Sequence, residues 1–171
     1  MTVFVALLRA VNVGGRKLLM SDLQGIAAEL GFERARTYIA SGNLLLATDL
    51  GERRIKAMLE ARLEEHMRAT VSVIVRTGPE LEGVVAGNPF IGDPANRVVA
   101  IFLDAAPPTD AVENARNIAD ERIALGNREV YVAYSQNGMA GSRLRIPGAE
   151  AGTARNMNTV ARLAGLAKEM A

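Results

Sequence analysis

Val3 to Leu8 is an unbroken apolar run rich in β-formers, which predicts a strand buried at the centre of a sheet. Asn12-Val13-Gly14-Gly15 interrupts it. Ser21 then fits a helix N-cap, with Asp22 in the first turn. Leu23, Ile26, Ala27 and Leu30 follow at helical spacing, and Gly31 fits a C′ stop. Arg34 to Ile39 reads as a second strand, Ser41-Gly42-Asn43 as turn chemistry and Leu44 to Thr48 as a third strand. Between Glu52 and Met67 the apolar positions Ile55, Met58, Leu59, Leu63 and Met67 form a helical stripe. Thr70 to Val75 alternates as a fourth strand.

The order is β-α-β-β-α-β over residues 1–77, the split-βαβ or ferredoxin-like arrangement. The second half partly repeats it over residues 98–171. Val98 to Leu103 predicts a strand, Asp110 to Ile118 a helix, and Arg122 to Leu125 with Glu129 to Tyr134 a hairpin across Gly126-Asn127. A last helix is expected from about Ala154 to Met170. Residues 78–97, with Gly78-Pro79, Asn88-Pro89 and Asp93-Pro94, read as a connector carrying a short helix around Leu81 to Ala86. The fold class is therefore α+β, with two ferredoxin-like subdomains, antiparallel or mixed sheets and helices on one face. No residue-level repeat links the halves.

Composition narrows the chemistry. Aromatic residues make up only 4% of the chain, so the core must be built from aliphatic side chains and Met. Twenty Lys and Arg against nineteen Asp and Glu leave a net charge of +1, no footprint for duplex nucleic acid or an anionic membrane. Cysteine is absent, which removes disulfides, thiolate nucleophiles and Cys-based zinc sites together. The lone His66 cannot build a histidine-rich metal site, and at a helix end it suits the C-terminal dipole. No cofactor or metal is expected. The short apolar start runs into Arg9 without a basic n-region, and no apolar run is long enough to cross a bilayer, so the cytoplasm is the expected compartment.

Topology points to one end of the first sheet. With strand order 4-1-3-2, the loop after strand one and the turn between strands two and three emerge together. Arg9, Asn12, Gly14, Gly15 and Lys17 should then lie beside Ser41, Gly42 and Asn43, where the first helix also starts. Glycine-rich backbone, amide side chains, two cations and a helix N-terminus suit a phosphate or carboxylate. The competing interpretation is structural and weighs more: the glycines turn the chain, the Asn side chains satisfy loop backbone, and Arg16-Lys17 is a solvated pair. Neither a P-loop nor a dinucleotide fingerprint is present. A second cluster runs from Thr153 to Thr159. With Thr153 as N-cap, Arg155 falls in the first helical turn, against the dipole, where a cation often has an anionic partner, either a carboxylate of the protein or a ligand; the structural alternative is a helix cap with an interdomain ion pair. Asn156 lies beside it, and Ser142, Arg143 and Arg145 precede it. Glu60, Glu64 and Glu65 with Arg53, Arg54, Lys56 and Arg62 read as a solvent face.

Five segments together resemble a known family. Leu8-Arg9-Ala10-Val11-Asn12-Val13-Gly14-Gly15 resembles its LRGINVGG opening, and Thr37-Tyr38-Ile39-Ala40-Ser41-Gly42-Asn43 its TYLQSGN segment. Asn88-Pro89-Phe90 resembles NPF, Ser142-Arg143-Leu144 resembles SKL, and Thr153 to Val160 resembles T-x-RNWNTV. The family is the uncharacterised, mainly bacterial one known as domain of unknown function sixteen ninety-seven. The resemblance implies two ferredoxin-like subdomains packed together, and no reaction, substrate or cofactor. Met157 stands where the family has Trp, and Ala10 where it has Gly.

Two functional classes stay open. One is a binding module, or a small enzyme, for a phosphorylated or carboxylated small molecule at the loop end of the first sheet. It would use Arg9, Asn12, Gly14, Gly15, Lys17, Ser41, Asn43, Arg155 and Asn156. The other is a protein–protein or RNA-associated module without catalysis; homodimerisation belongs with either. No nucleophile–base pair can be named, so no reaction is assigned.

Overall fold

The computed structural model of the protein describes residues 1–171. Its contacts divide the chain into two units, Met1–Leu81 with Leu163–Ala171, and Glu82–Arg162. The end of the closing helix thus belongs with the first unit, and not with residues 98–171 as a block.

In the first unit the elements are β1 (Thr2–Leu8), α1 (Met20–Glu29), β2 (Glu33–Thr37), β3 (Asn43–Thr48), α2 (Glu52–Met67) and β4 (Val73–Thr77). The sheet order is β2-β3-β1-β4, and every pairing is antiparallel. This is the ferredoxin-like order with β1 in the interior. Leu23, Ile26, Ala27, Ile55, Leu59 and Leu63 on the helices pack with Phe4, Ala6, Leu8, Leu44, Leu46, Val73 and Val75 on one sheet face. The alternating residues Val3, Val5, Leu7, Leu45 and Ala47 on the other face are buried too. Burial on both faces explains why β1 is an unbroken apolar run.

Local chemistry fixes the ends. α1 stops at Gly31, whose φ of +82° allows Phe32 N–H to reach Ala27 O and Gly31 N–H to reach Ala28 O, both at 3.0 Å. That is the Schellman arrangement. At its start the N-cap position is Leu19, with no side-chain cap, and not Ser21. Lys56 and Glu60 are more than a solvent face. Lys56 Nζ donates to Val73 O at 2.5 Å, and Glu60 accepts from Val73 N–H at 2.9 Å, so the pair secures the start of β4.

The remaining elements are α3 (Gly78–Ala86), β5 (Val98–Phe102), β6 (Arg122–Leu125), β7 (Glu129–Ala133), β8 (Thr153–Asn156) and α4 (Met157–Met170). The second sheet runs β6-β7-β5-β8, the same permutation as the first and again antiparallel. Its connections differ. The helix expected over Asp110 to Ile118 does not form; residues 109–114 are turns, and Arg116 then bridges to Arg145. Beside Ala111, Val112 and Ala115 the segment offers only Ile118, which is exposed, too little to hold a helix face. The closing helix starts at Met157, because Thr153 to Asn156 pair with β5 as a strand. No helix of the structure is long and apolar enough to cross a membrane.

Candidate functional site

The end of the first sheet brings together what the topology predicts for Asn12 and the β2–β3 turn. Asn12 Nδ2 donates to Ala40 O at 2.6 Å, and its Oδ1 accepts from Leu18 N–H at 2.7 Å. One side chain therefore ties the loop after β1 to the turn before β3. Leu8 N–H reaches Gly42 O at 2.8 Å, a second tie. These bonds commit Asn12 to structure. Asn43 is fully buried and closes its own turn, donating to Tyr38 O at 2.8 Å and to Ser41 Oγ at 3.0 Å. Asn43 is thus held inside the turn, with Ser41 as one of its acceptors.

Gly14 and Gly15 have φ of +56° and +85°. They form the two-residue turn between Val13 and Arg16, closed by Arg16 N–H to Val13 O at 3.0 Å. Two successive left-handed residues are what a type I′ hairpin demands. A Cβ at either glycine would meet nothing within 4 Å, so the tip stands in open space. Arg16 is not solvated with Lys17. Its guanidinium donates to Thr70 O, and its Nε is buried without a partner. Lys17 is exposed. Arg9 is exposed as well. Three non-glycine residues at this end, Ala10, Asn12 and Ile39, are also left-handed, a strained choice for Ile above all. His66 lies in the last turn of α2, its Nε2 3.5 Å from Asp22 Oδ2.

Arg155 and Asn156 belong to the second unit. Arg155 lies on β8, opposite Ala100, and not in the first turn of a helix. It is buried, donates to Ala154 O at 2.9 Å, and burial pushes its pKa down to about 10. Thr153 is a buried strand residue and caps nothing. The cap is Asn156, whose Oδ1 accepts from Thr159 N–H at 3.0 Å at the third helical position.

Glu121 carries no motif or spacing in the sequence that marks it. It is buried and accepts from Ser142 Oγ at 2.7 Å and from the N–H groups of Ala119 and Asp120 at 3.1 Å. The Ser142 hydroxyl above all, then the backbone donors, hold its carboxyl below the ordinary range against the opposing cost of burial. It walls a cavity of about 620 Å³ with Asn117, Ser135, Asn137, Ser142 and Arg143. Ser142 carried the SKL-like segment, yet nothing in the sequence spacing links it to residue 121. A native pKa below the unfolded value stabilises the fold above the unfolded value, and that contribution is lost as pH falls through the native one. Ser142→Ala should therefore be less stable than the parent near neutral pH, with the gap narrowing as acidification protonates Glu121 in the native state. Urea denaturation across an acid-to-neutral pH series checks this; a gap of constant size refutes it.

No group of three or more His, Asp or Glu side chains is placed to hold a metal. Compared with known proteins, residues 1–131 match the family model described as protein of unknown function (DUF1697). A search of curated proteins returns no significant match. Among solved structures the chain is similar to the conserved bacterial protein SP0830 from Streptococcus pneumoniae, with a TM-score of 0.79 and 21% identity over 98% of this chain and 99% of that one. At that identity the likeness shows the fold.

Proposed function

The chain belongs to DUF1697, a family of proteins of unknown function, and we propose that it is a binding module for a phosphorylated or carboxylated small molecule at the loop end of the first sheet. The observation that carries this reading is the Val13–Arg16 turn. The left-handed Gly14 and Gly15 stand in open space, and no acceptor in the protein takes their N–H groups. Beside them are the exposed Lys17 and the start of α1, which has no side-chain cap. Free amides, a cation and a helix N-terminus, neighbours in the chain, each favour negative charge. Asn12 and Asn43 hold the frame, and Arg9 adds charge at the rim. A cysteine-free chain of balanced charge fits a cytoplasmic protein of this kind.

The apolar residues at the same end favour a second reading, a contact site for another protein or a second copy of this chain. Val13, Leu19 and Ile39 are 55%, 51% and 48% exposed. Thermal-shift measurements with sugar phosphates, nucleotides and organic acids separate the two, since a ligand of the native state raises its melting temperature. Lys17→Glu should abolish a ligand-induced rise while leaving the apo stability within about 0.5 kcal/mol of the parent, because Lys17 is a surface residue. A rise undiminished in Lys17→Glu places the ligand elsewhere. No rise with any compound turns the choice to the contact site, to be read from oligomeric state.

A further inference from the structure

Arg116 and Arg145 face each other across an antiparallel bridge in the second unit. Arg116 N–H donates to Arg145 O at 2.8 Å, and Arg145 N–H to Arg116 O at 3.0 Å. Directly opposed residues of such a pair have Cβ atoms roughly 5 Å apart and side chains on one face. Both arginines are exposed, and neither has an ion-pair partner in the structure. Like charges in direct register destabilise the pairing they sit on. The arrangement is relieved when an anion lies between them.

Arg145 also lines a cavity of about 370 Å³, within the usual range for small-molecule sites. The rest of its wall is largely apolar, with Ile101, Met139, Leu144 and Ile146, together with the Tyr134 ring. Burial, with Glu121 adding to it, pushes the Tyr134 hydroxyl up, so it stays a neutral donor. The one carboxylate in the lining, Glu150, accepts from Gly148 N–H at 3.1 Å.

We propose that Arg116 and Arg145 clamp the phosphate of a small phosphate monoester whose compact apolar body fills this cavity. Two guanidinium forks match a dianion in both charge and geometry. The site lies within the second unit, on residues separate from Lys17 and the glycine turn, so it stands or falls apart from the function proposed above.

The test is calorimetric titration of the full chain with phenyl phosphate and with inorganic phosphate. Phenyl phosphate should bind at least about tenfold more tightly, the difference being the apolar body. Arg116→Glu should weaken phenyl phosphate binding by more than about tenfold and raise the apo melting temperature, because a carboxylate then faces Arg145. Arg116→Gln, which removes one charge without creating an ion pair, should also weaken binding. Arg54→Glu, an exposed charge reversal on α2, should leave it unchanged. The proposal is overturned by no binding, by equal affinity for the two phosphates, by affinity intact in both Arg116 variants or lost in Arg54→Glu, or by a melting temperature lowered in Arg116→Glu.

Discussion

Gly42→Ala should destabilise the protein by about 2–5 kcal/mol, combining backbone strain with overpacking. Gly42 is buried at φ +91°, a conformation that costs an L-residue energy wherever it occurs. A Cβ there would lie 2.6 Å from Val11 Cγ2 and 2.9 Å from Leu8 Cβ. Neither neighbour can yield easily, since Leu8 is fully buried and Val11 is 2% exposed. The carbonyl of Gly42 also receives Leu8 N–H, so displacing the turn breaks the tie between β1 and β3. Gly15→Ala is the control. Its φ of +85° is similar, but its Cβ would meet nothing. The strain is common to both variants and the crowding belongs to Gly42 alone. Denaturant unfolding of the two measures the difference, and equal costs would remove packing from the explanation.

What could be read from the sequence follows from how local each signal is. The stripe Ile55, Leu59, Leu63 fixed α2 at Glu52–Met67, because helical periodicity is written in the contiguous chain. The apolar run of β1 announced a strand buried on both faces. The strand order of the first sheet followed from the β-α-β-β-α-β succession, and with it the approach of Asn12 to the turn before β3. The second unit was harder, because its connections are irregular. Thr153 to Asn156 looked like a helix start, and only pairing with the distant Val99 to Phe102 makes them a strand. That pairing moved the cap from Thr153 to Asn156 and took Arg155 out of the helix dipole.

The site residues divide on the same ground. The turn roles of Gly14 and Gly15 were legible, because glycine pairs have few other uses. The buried Glu121–Ser142 hydrogen bond and the Arg116–Arg145 bridge were not. Each joins residues more than twenty positions apart in a region without periodicity, so no local pattern reports it. Met58, grouped with Leu59 as core by its spacing, is only half-buried and flanks the cluster. Spacing gives the direction of a side chain around a helix but not the depth of the surface it faces.

Leu59→Ala should cost about 2–5 kcal/mol, because it deletes buried methyl and methylene groups and leaves a cavity that rigid neighbours cannot fill. Leu59 has no exposed surface and sits at the middle of the α2 stripe, between Ile55 and Leu63, against the helix-covered face of the first sheet. That face is supplied by strands on which the alternate residues Val5, Leu7 and Leu45 are also fully buried, so the strands have little freedom to collapse inward. Met58→Ala is the matched comparison on the same helix turn. It removes a side chain of similar size from a half-buried position, so less apolar surface returns to water and solvent fills much of the space. Leu59→Ala should therefore be clearly the more costly of the two in denaturant unfolding. Equal losses would mean that α2 presents a different face to the sheet, and an unchanged melting temperature in Leu59→Ala would put that residue at the surface.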